Sequence, residues 1–245
     1  MKSVFITGAS SGIGESLAYY FAKQGNIIGI AARRNNRLKI VAEKINNYGG
    51  TPVIFELDVS DQKACKIAIK QFLENIGKID IVIANAGIGG TDKLSSGDSK
   101  TINEILSINI LGVTNTVIPF IPTMKKQKSG SICIISSVAS TRGLIGYGGY
   151  SSSKAAVKTL GDSWDYSLKR HNISTTVVFP GWIATEMTAG KNLKMFFLMD
   201  SDTAAEKISI AIKKRKRKYI LPWQWNIIVP IFRILPRWVV NLFSV

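Results

Sequence analysis

The chain has few of the residues that most often carry proton transfer or metal binding, with one histidine and two cysteines among 245 residues. His171 stands alone, so no histidine triad or histidine-rich metal cluster can be assembled, and we expect no metal site. Cys65 and Cys133 lack C-x-x-C spacing and fall in a helical and a strand pattern. We therefore expect reduced core thiols, and tyrosine is the remaining candidate for proton transfer.

The sequence also lacks a leading apolar helix, because MKSVFITGAS runs straight into a β-rich segment. This start predicts a cytoplasmic protein without a signal peptide. Internal repeats and low-complexity linkers are missing as well. A length of 245 residues and a hydrophobic content of 46% then favour one α/β domain with a large core.

Acidic residues are scarce, with 16 Asp and Glu against 32 Lys and Arg, which gives a net charge of +16. The segment from Lys213 to Val245 has eight basic residues and no acidic one, so half of the excess charge lies there. Such a balance is compatible with nucleic-acid binding. No nucleic-acid motif accompanies it, however, and we expect no nucleic-acid partner.

The segment from Ser131 to Lys154, SICIISSVASTRGLIGYGGYSSSK, combines a short β run, a Gly-broken loop and a helix start. Tyr150 and Lys154 lie one helical turn apart, so the ammonium should lower the pKa of the phenol from about 10. A tyrosine of this kind exchanges protons near neutral pH if Ser137 holds the reacting oxygen. The alternative is a surface tyrosine beside a solvated lysine.

A glycine-rich turn follows the first predicted strand, Lys2 to Thr7. Gly8, Gly12 and Gly14 stand in the sequence TGASSGIG and precede a helical pattern. Glycines permit a tight turn and close backbone approach, and the following helix N-terminus favours a pyrophosphate. The turn is therefore predicted to bind a dinucleotide.

The second strand, Ile27 to Ala31, is followed by Arg33 and Arg34 and has no acidic residue at its end. An acidic residue there would bind the ribose hydroxyls of NAD, whereas an arginine can pair with a 2′-phosphate. NADP is therefore the predicted cofactor, in preference to NAD. The alternative is that both arginines only cap the loop before the next helix.

Six predicted strands alternate with helices before a last short strand at Tyr219 to Leu221. Each connection has the length of a right-handed crossover. The predicted fold is α/β of Rossmann type, a doubly wound parallel sheet in a single domain over residues 1–222. A C-terminal apolar and basic extension follows at residues 223–245.

Four motifs together resemble the short-chain dehydrogenase/reductase family over residues 2 to about 222. They are the TGASSGIG turn, Asn85-Ala86-Gly87, Tyr150-x-x-x-Lys154 and the Pro180-Gly181 pair. The resemblance implies a catalytic set of Asn109, Ser137, Tyr150 and Lys154. In that set the serine polarises the substrate oxygen, and the asparagine bonds backbone within its helix and holds a water on a proton path.

The resemblance also implies a set of cofactor contacts around the sheet edge. These are Gly8, Ser10, Ser11, Gly12, Ile13, Gly14, Arg33, Arg34, Asp58, Val59, Asn85, Ala86, Gly87, Tyr150, Lys154, Pro180, Gly181, Ile183 and Thr185. Asp58 or Ser60 could instead cap the following helix. The Met- and Phe-rich segment from Thr188 to Met199, with Leu193 inside it, falls where the family has a substrate lid and suggests an apolar substrate, although core packing is the alternative.

Two functions are compatible with these patterns. The first is an NADP-dependent oxidoreductase that interconverts a ketone and a secondary alcohol on a small lipophilic substrate. The second is a nucleotide-binding regulator or scaffold without chemistry. The enzyme is favoured because the chain keeps all four residues of the catalytic set. The family's helix pairing further implies a homo-oligomer.

The tail from Trp223 to Val245 carries three of the five tryptophans and follows the basic run Lys213 to Lys218. Pro230 and Pro236 should interrupt a helix, so a membrane span is not expected. A peripheral contact with the inner face of a membrane is the favoured interpretation, since the segment has no carboxylate to pair with its arginines. The alternative is a tail that folds back over an interface or the substrate pocket.

Overall fold

The computed structural model describes residues 1–189 and 195–236. Five residues of the predicted lid, including Leu193, and the last nine residues of the tail therefore lie outside the described residues. The strands are β1 (Ser3–Thr7), β2 (Ile27–Ala32), β3 (Thr51–Glu56), β4 (Ile81–Ala84), β5 (Gly130–Ile135), β6 (Ile173–Pro180) and β7 (Lys218–Leu221).

All strands pair in parallel, in the order β3-β2-β1-β4-β5-β6-β7. The order reverses direction between β1 and β4, and a crevice for a ligand forms at such a switch point beyond the carboxyl ends of the strands. The predicted doubly wound parallel sheet is confirmed. Its seven strands include the short one predicted before the tail.

Helices cover both faces of the sheet. They are α1 (Gly12–Ala22), α2 (Asn35–Asn47), α3 (Gln62–Ile76), α4 (Lys100–Leu106), α5 (Gly112–Val117), α6 (Ile121–Gln127), α7 (Gly148–Leu168), α8 (Ser201–Lys213) and α9 (Trp225–Ile234). One core lies under α1, α2 and α8, and the other lies under α3, α5 and α7. Strand residues alternate between these cores, as Phe5 and Ile6 do, so the strands are apolar on both faces.

The helical run Lys100–Gln127 is continuous but irregular. Ser107–Leu111 forms a π-helical turn between α4 and α5, and Ile118–Phe120 narrows to a 3-10 turn at Pro119. The 3-10 turn falls at a proline, which removes a backbone hydrogen bond, whereas the π-helical turn was not predicted from the sequence. Among the described residues, this run is the one helical stretch long and apolar enough to span a membrane, and part of it is core.

The tail helix α9 differs from the prediction at Pro230, which lies inside the helix instead of interrupting it. Proline removes one backbone hydrogen bond, but its fixed φ is compatible with helix. Pro236 acts as predicted. The residue before it, Leu235, leaves the helical conformation with ψ 137°, because a proline disfavours helix in the preceding residue.

Candidate active site

The TGASSGIG turn forms a close cradle at the carboxyl end of β1. Gly8 and Gly12 have φ of +66° and +56°, a left-handed conformation that favours glycine. A Cβ on Gly8 would lie 2.8 Å from the Ala86 Cα, and one on Gly14 would overlap the Gly8 carbonyl. Helix α1 begins at Gly12, so its first N–H groups face this cradle. The cradle fits the pyrophosphate of a dinucleotide.

The Asn85-Ala86-Gly87 turn braces the cradle from the end of β4. The Asn85 side chain donates to the carbonyls of Thr7 and Gly8 at 3.0 and 3.1 Å. The Thr7 hydroxyl accepts from the backbone N–H groups of Asn85 and Ala86 at 3.3 Å. The turn therefore fixes the shape of the glycine loop, and Ile13 packs against the core behind it.

Asn109 lies in the π-helical turn and is fully buried. Its Nδ2 donates to the Ile88 carbonyl and the Ser153 hydroxyl, both at 3.0 Å, and its Oδ1 accepts from the Ile88 N–H at 2.8 Å. The expectation that it bonds within its own helix is wrong. The extra residue of a π turn aims the amide at the loop after Gly87 and at α7 instead, a feature common at functional sites.

The predicted catalytic residues converge where β5 ends and α7 begins. Lys154 is buried, and its Nζ donates to the Ile135 carbonyl at 2.9 Å. The same ammonium lies 5.7 Å from the centre of the Tyr150 ring, and a Cβ on Gly87 would lie 3.3 Å from it. The Ser136 hydroxyl donates to the Lys154 carbonyl at 2.8 Å and so joins β5 to α7.

Ser137 lies at the start of the 3-10 turn Val138–Thr141, next to Tyr150. Its hydroxyl accepts from the Ala139 N–H at 3.1 Å and donates to the Pro180 carbonyl at 3.4 Å. It also interacts with the Tyr150 phenol. The structure thus brings Ser137, Tyr150 and Lys154 to one place on the sheet edge, beside Asn109 and Gly87.

Burial governs the proton affinities of this group. It raises the pKa of the Tyr150 phenol, and the interaction with Ser137 acts in the opposite direction. It lowers the pKa of the Lys154 ammonium to about 8. The expectation that Lys154 lowers the pKa of Tyr150 is therefore outweighed by desolvation, which favours the neutral form of both side chains.

The two arginines after β2 occupy different positions. Arg33 Nη1 lies 3.9 Å from Asp58 Oδ2. Arg34 lies on the glycine loop, where its Nη2 donates to the hydroxyls of Ser10 and Ser11 at 3.1 and 2.8 Å. Both are placed at the adenosine end of the cradle.

Asp58 and Val59 follow β3 at the same edge. Partial burial raises the pKa of Asp58, but hydrogen bonds from Ser60 and the Arg33 charge outweigh it, so the pKa lies below its usual value. Neither Asp58 nor Ser60 caps α3, because Asp61 accepts from its first N–H groups. Val59 is buried, and its carbonyl accepts from the Asn115 side chain at 2.9 Å.

The segment after β6 carries the Pro180-Gly181 pair and the residues predicted to face the nicotinamide. Pro180 ends β6, and the Gly181 N–H donates to the Leu221 carbonyl at 2.7 Å. Ile183 is buried and bridges to Met199. The Thr185 methyl would lie 2.8 Å from a Cβ on Gly12, so this segment packs directly on the glycine loop.

Four residues that the sequence did not point to, and Trp225 of the tail, take part in the site. Glu186 and Arg37 join the charges around Arg34, and Asp92 accepts from the Gly148 and Gly149 N–H groups at the start of α7. Arg142 donates to the Phe232 and Leu235 carbonyls, and the Trp225 ring covers Gly181. Of these four residues, only Glu186 had a signal in the sequence, because it directly follows Thr185, a predicted cofactor contact.

Within the described residues, no group of three or more His, Cys, Asp or Glu side chains is arranged to hold a metal ion. Cys65 and Cys133 are buried free thiols. Desolvation raises the pKa of Cys65 to about 11, so this thiol is inert at neutral pH.

Replacing Lys154 with methionine should stabilise the protein at neutral pH by about 1 to 2 kcal/mol, because burial disfavours the ammonium. Between pH 8 and 10.5 the unfolded chain binds more protons than the folded one, so wild-type stability rises with pH. The advantage of Lys154→Met should therefore shrink across this window. Urea unfolding at pH 7 and pH 10 measures it, with Lys66→Met, at an exposed site, as control.

The comparisons with known proteins agree on one family. The chain matches the short chain dehydrogenase family over residues 2–195. It is 32% identical to an uncharacterized oxidoreductase of Myxococcus xanthus, over 96% of this chain and 93% of that protein. It is 35% identical to the 11-beta-hydroxysteroid dehydrogenase-like 2 protein of Arabidopsis thaliana, over 91% of this chain and 74% of that one.

A solved structure extends the agreement to three dimensions. The alcohol dehydrogenase of Thermococcus sibiricus, complexed with 5-hydroxy-NADP, superimposes with a TM-score of 0.81 at 29% identity. The match covers 90% of this chain and 96% of that one. The chain is therefore an oxidoreductase and belongs to the short-chain dehydrogenase/reductase family.

Proposed function

We propose that the protein is an NADP-dependent oxidoreductase that interconverts a ketone and a secondary alcohol on a lipophilic substrate. The observation that carries this proposal is the buried Lys154 amine, which lies 5.7 Å from the centre of the Tyr150 ring at the place where Ser137 follows β5. The glycine cradle opens at the same sheet edge. A proton donor and a dinucleotide site thus share one crevice.

The nicotinamide supplies or accepts the hydride when the cofactor is bound. The Ser137 hydroxyl orients the substrate oxygen, since it is anchored by the Ala139 N–H and can turn its hydrogen from the Pro180 carbonyl, 3.4 Å away, to the substrate. Tyr150 donates its proton to that oxygen during reduction and takes it back during oxidation. Burial keeps the phenol protonated, which suits reduction of the ketone.

Lys154 acts on Tyr150 from below. Its amine is fixed by the Ile135 carbonyl and lies next to Gly87, where the family's lysine grips the nicotinamide ribose. With a pKa of about 8 the side chain is still mostly protonated at pH 7. It therefore presents a positive charge to the phenolate that forms when Tyr150 gives up its proton.

Tyr150→Phe removes the proton donor and keeps the ring. Turnover of a reactive ketone should fall by about 10²-fold or more, the scale for loss of a general acid. NADPH affinity should change little. Tyr147→Phe, three residues upstream, is the matched control and should retain turnover. Near-normal turnover in Tyr150→Phe contradicts the role. Nucleotide binding without turnover of any ketone in a panel would favour the regulator instead.

The preference for NADP is supported by the adenosine end of the cradle. Arg34 is already held over the glycine loop by two serine hydroxyls, and Arg33 stands beside it. A guanidinium in this position matches a 2′-phosphate. The Thermococcus sibiricus relative was solved with an NADP derivative, which agrees with this choice.

Wild-type protein should bind NADPH more tightly than NADH. Arg34→Ala should weaken NADPH binding by about 10-fold or more, because it removes charge-assisted hydrogen bonds, and should leave NADH within about threefold. Fluorescence titration of each nucleotide measures this. Lys39→Ala, an exposed charge removal on α2, is the control. Equal affinity of the wild type for both nucleotides contradicts the assignment.

The lipophilic substrate is supported by apolar side chains of the lid segment and the tail. Phe196, Phe197 and Leu198 are all exposed, just before Met199, which bridges to Ile183, and the Trp225 ring of α9 covers Gly181. Arg142 caps the C-terminal carbonyls of this helix and holds it against the turn after Ser137. The name of the Arabidopsis relative refers to a hydroxysteroid, which is a substrate of the same polarity.

The tail prediction changes in one respect. Arg217 and Lys218 pair with Asp165 and Asp162 of α7 at 2.7 and 3.3 Å, so carboxylates from elsewhere do meet the basic run. That run also lies at the amino end of β7, whereas α9 leaves from its carboxyl end. Part of the electrostatic support for a membrane contact is thereby lost.

We nevertheless propose that the outer face of α9 rests on an anionic lipid surface at the inner face of a membrane. Ile227, Ile231 and Ile234 lie along one side of the helix and are 58, 50 and 81% exposed, and Trp223 precedes them. Apolar residues at this spacing suit an interfacial helix. The net charge of +16 attracts the molecule to anionic lipid.

The double variant Ile227→Glu/Ile231→Glu should abolish sedimentation with vesicles of anionic phospholipid, because it places charges on the outer face of α9. The control is Ile40→Glu/Ile67→Glu, at two exposed isoleucines on α2 and α3. Unchanged sedimentation of the α9 variant, or wild-type protein that stays in solution, contradicts the contact.

The homo-oligomer stays a prediction. Exposed Leu111 and Ile118 on the run Lys100–Gln127 support it, because that run forms a subunit interface in the family. The expected cytoplasmic location also stays a prediction.

A further inference from the structure

Glu186 joins the two halves of the crevice. It follows Thr185, which packs on Gly12, and its carboxylate reaches across to the adenosine end. Oε2 lies 2.9 Å from Arg34 Nη2, and Oε1 lies 3.8 Å from Arg37 Nη2. A bridge of side chains therefore runs from the segment after β6 to the start of α2.

The bridge uses the guanidinium that the 2′-phosphate would need. Arg34 Nη2 donates to Ser10 and Ser11 and also faces Glu186, so a phosphate at this place must share or displace the carboxylate. The hydrogen bond from Arg34 is the main reason that the pKa of Glu186 lies below its usual value. The carboxylate is thus ionised at neutral pH and repels an incoming phosphate.

We propose that Glu186 is a cofactor-selectivity residue that competes with the 2′-phosphate of NADP(H) for Arg34 and Arg37. This inference rests on the proposed use of NADP. A nucleotide with a free 2′-hydroxyl leaves the bridge in place, whereas a 2′-phosphate must break it. Glu186 therefore lowers the affinity for 2′-phosphorylated nucleotides below the value that the arginines alone would give.

The expected effect of Glu186 on phosphate binding is small, because the side chains of the bridge are about half exposed. The side chains of Arg34, Arg37 and Glu186 are 48, 47 and 54% exposed, so water and salt screen the bridge. Removing the competing charge should strengthen binding of a 2′-phosphate by about 3- to 10-fold. The gain should shrink at high ionic strength, because surface charges are screened.

The test uses adenosine 2′,5′-bisphosphate and 5′-AMP, titrated by calorimetry into the full-length protein. Glu186→Gln should bind the bisphosphate about 3- to 10-fold more tightly and 5′-AMP within about twofold. Glu43→Gln removes one charge from the exposed face of α2 and should change neither. In an Arg34→Ala background, Glu186→Gln should lose most of its effect, which assigns the gain to this pair.

Three results would overturn the inference. Weaker bisphosphate binding by Glu186→Gln would mean that Glu186 supports Arg34. Equal strengthening for both nucleotides, or the same gain in Glu43→Gln, would mean a general charge effect. Failure of the NADP proposal is a separate outcome, since it appears as equal affinity of the wild type for the two nucleotides, whatever Glu186→Gln does.

Discussion

The burial of one ammonium group constrains the active site more than any other interaction. Lys154 is 5% exposed and has the Ile135 carbonyl as its partner at 2.9 Å. Gly87 leaves room for this ammonium and for Asn109, since a Cβ there would lie only 3.3 and 3.1 Å from their polar atoms. The Ser136 hydroxyl and the π-helical turn at Asn109 fix α7 against the sheet. The protein thus holds a destabilised charge under Tyr150, as sites built for proton transfer often do.

At the adenosine end of the crevice, the arginine side chains after β2 are paired with carboxylates. Arg33 faces Asp58, and Arg34 faces Glu186, although the chain as a whole has twice as many basic as acidic residues. These pairs are exposed, so they contribute little to stability. Under the role proposed for Glu186, the pair with Arg34 acts on cofactor selectivity instead, because a 2′-phosphate must displace the carboxylate. The same chain therefore uses burial at one end of the crevice and charge balance at the other.

The sequence predicted the sheet and its parallel strands, because apolar runs and connection lengths are local features. The resemblance to the family pointed to the residues that gather at the carboxyl edge of the sheet. The π-helical turn was not predicted, since one inserted residue barely alters the apolar pattern of a helix. The role of Glu186 was not predicted, because its partner Arg34 is far away in the chain. The carboxylates of Asp162 and Asp165 that meet the basic run depend on the packing of α7 beside β7, which no local pattern contains. Desolvation likewise raises the pKa of Tyr150, whereas the sequence predicted that Lys154 would lower it.

The active site depends on Lys154 as a buried, weakened base beside Tyr150. Nuclear magnetic resonance of protein labelled at the lysine Cε carbons tests this state of Lys154 most directly, because the shift of each resonance follows ionisation of its own amine. The resonance that disappears in Lys154→Met should titrate with a pKa of about 8 in the wild type. Titration of that resonance near the ordinary lysine pKa of about 10.4 would contradict the account.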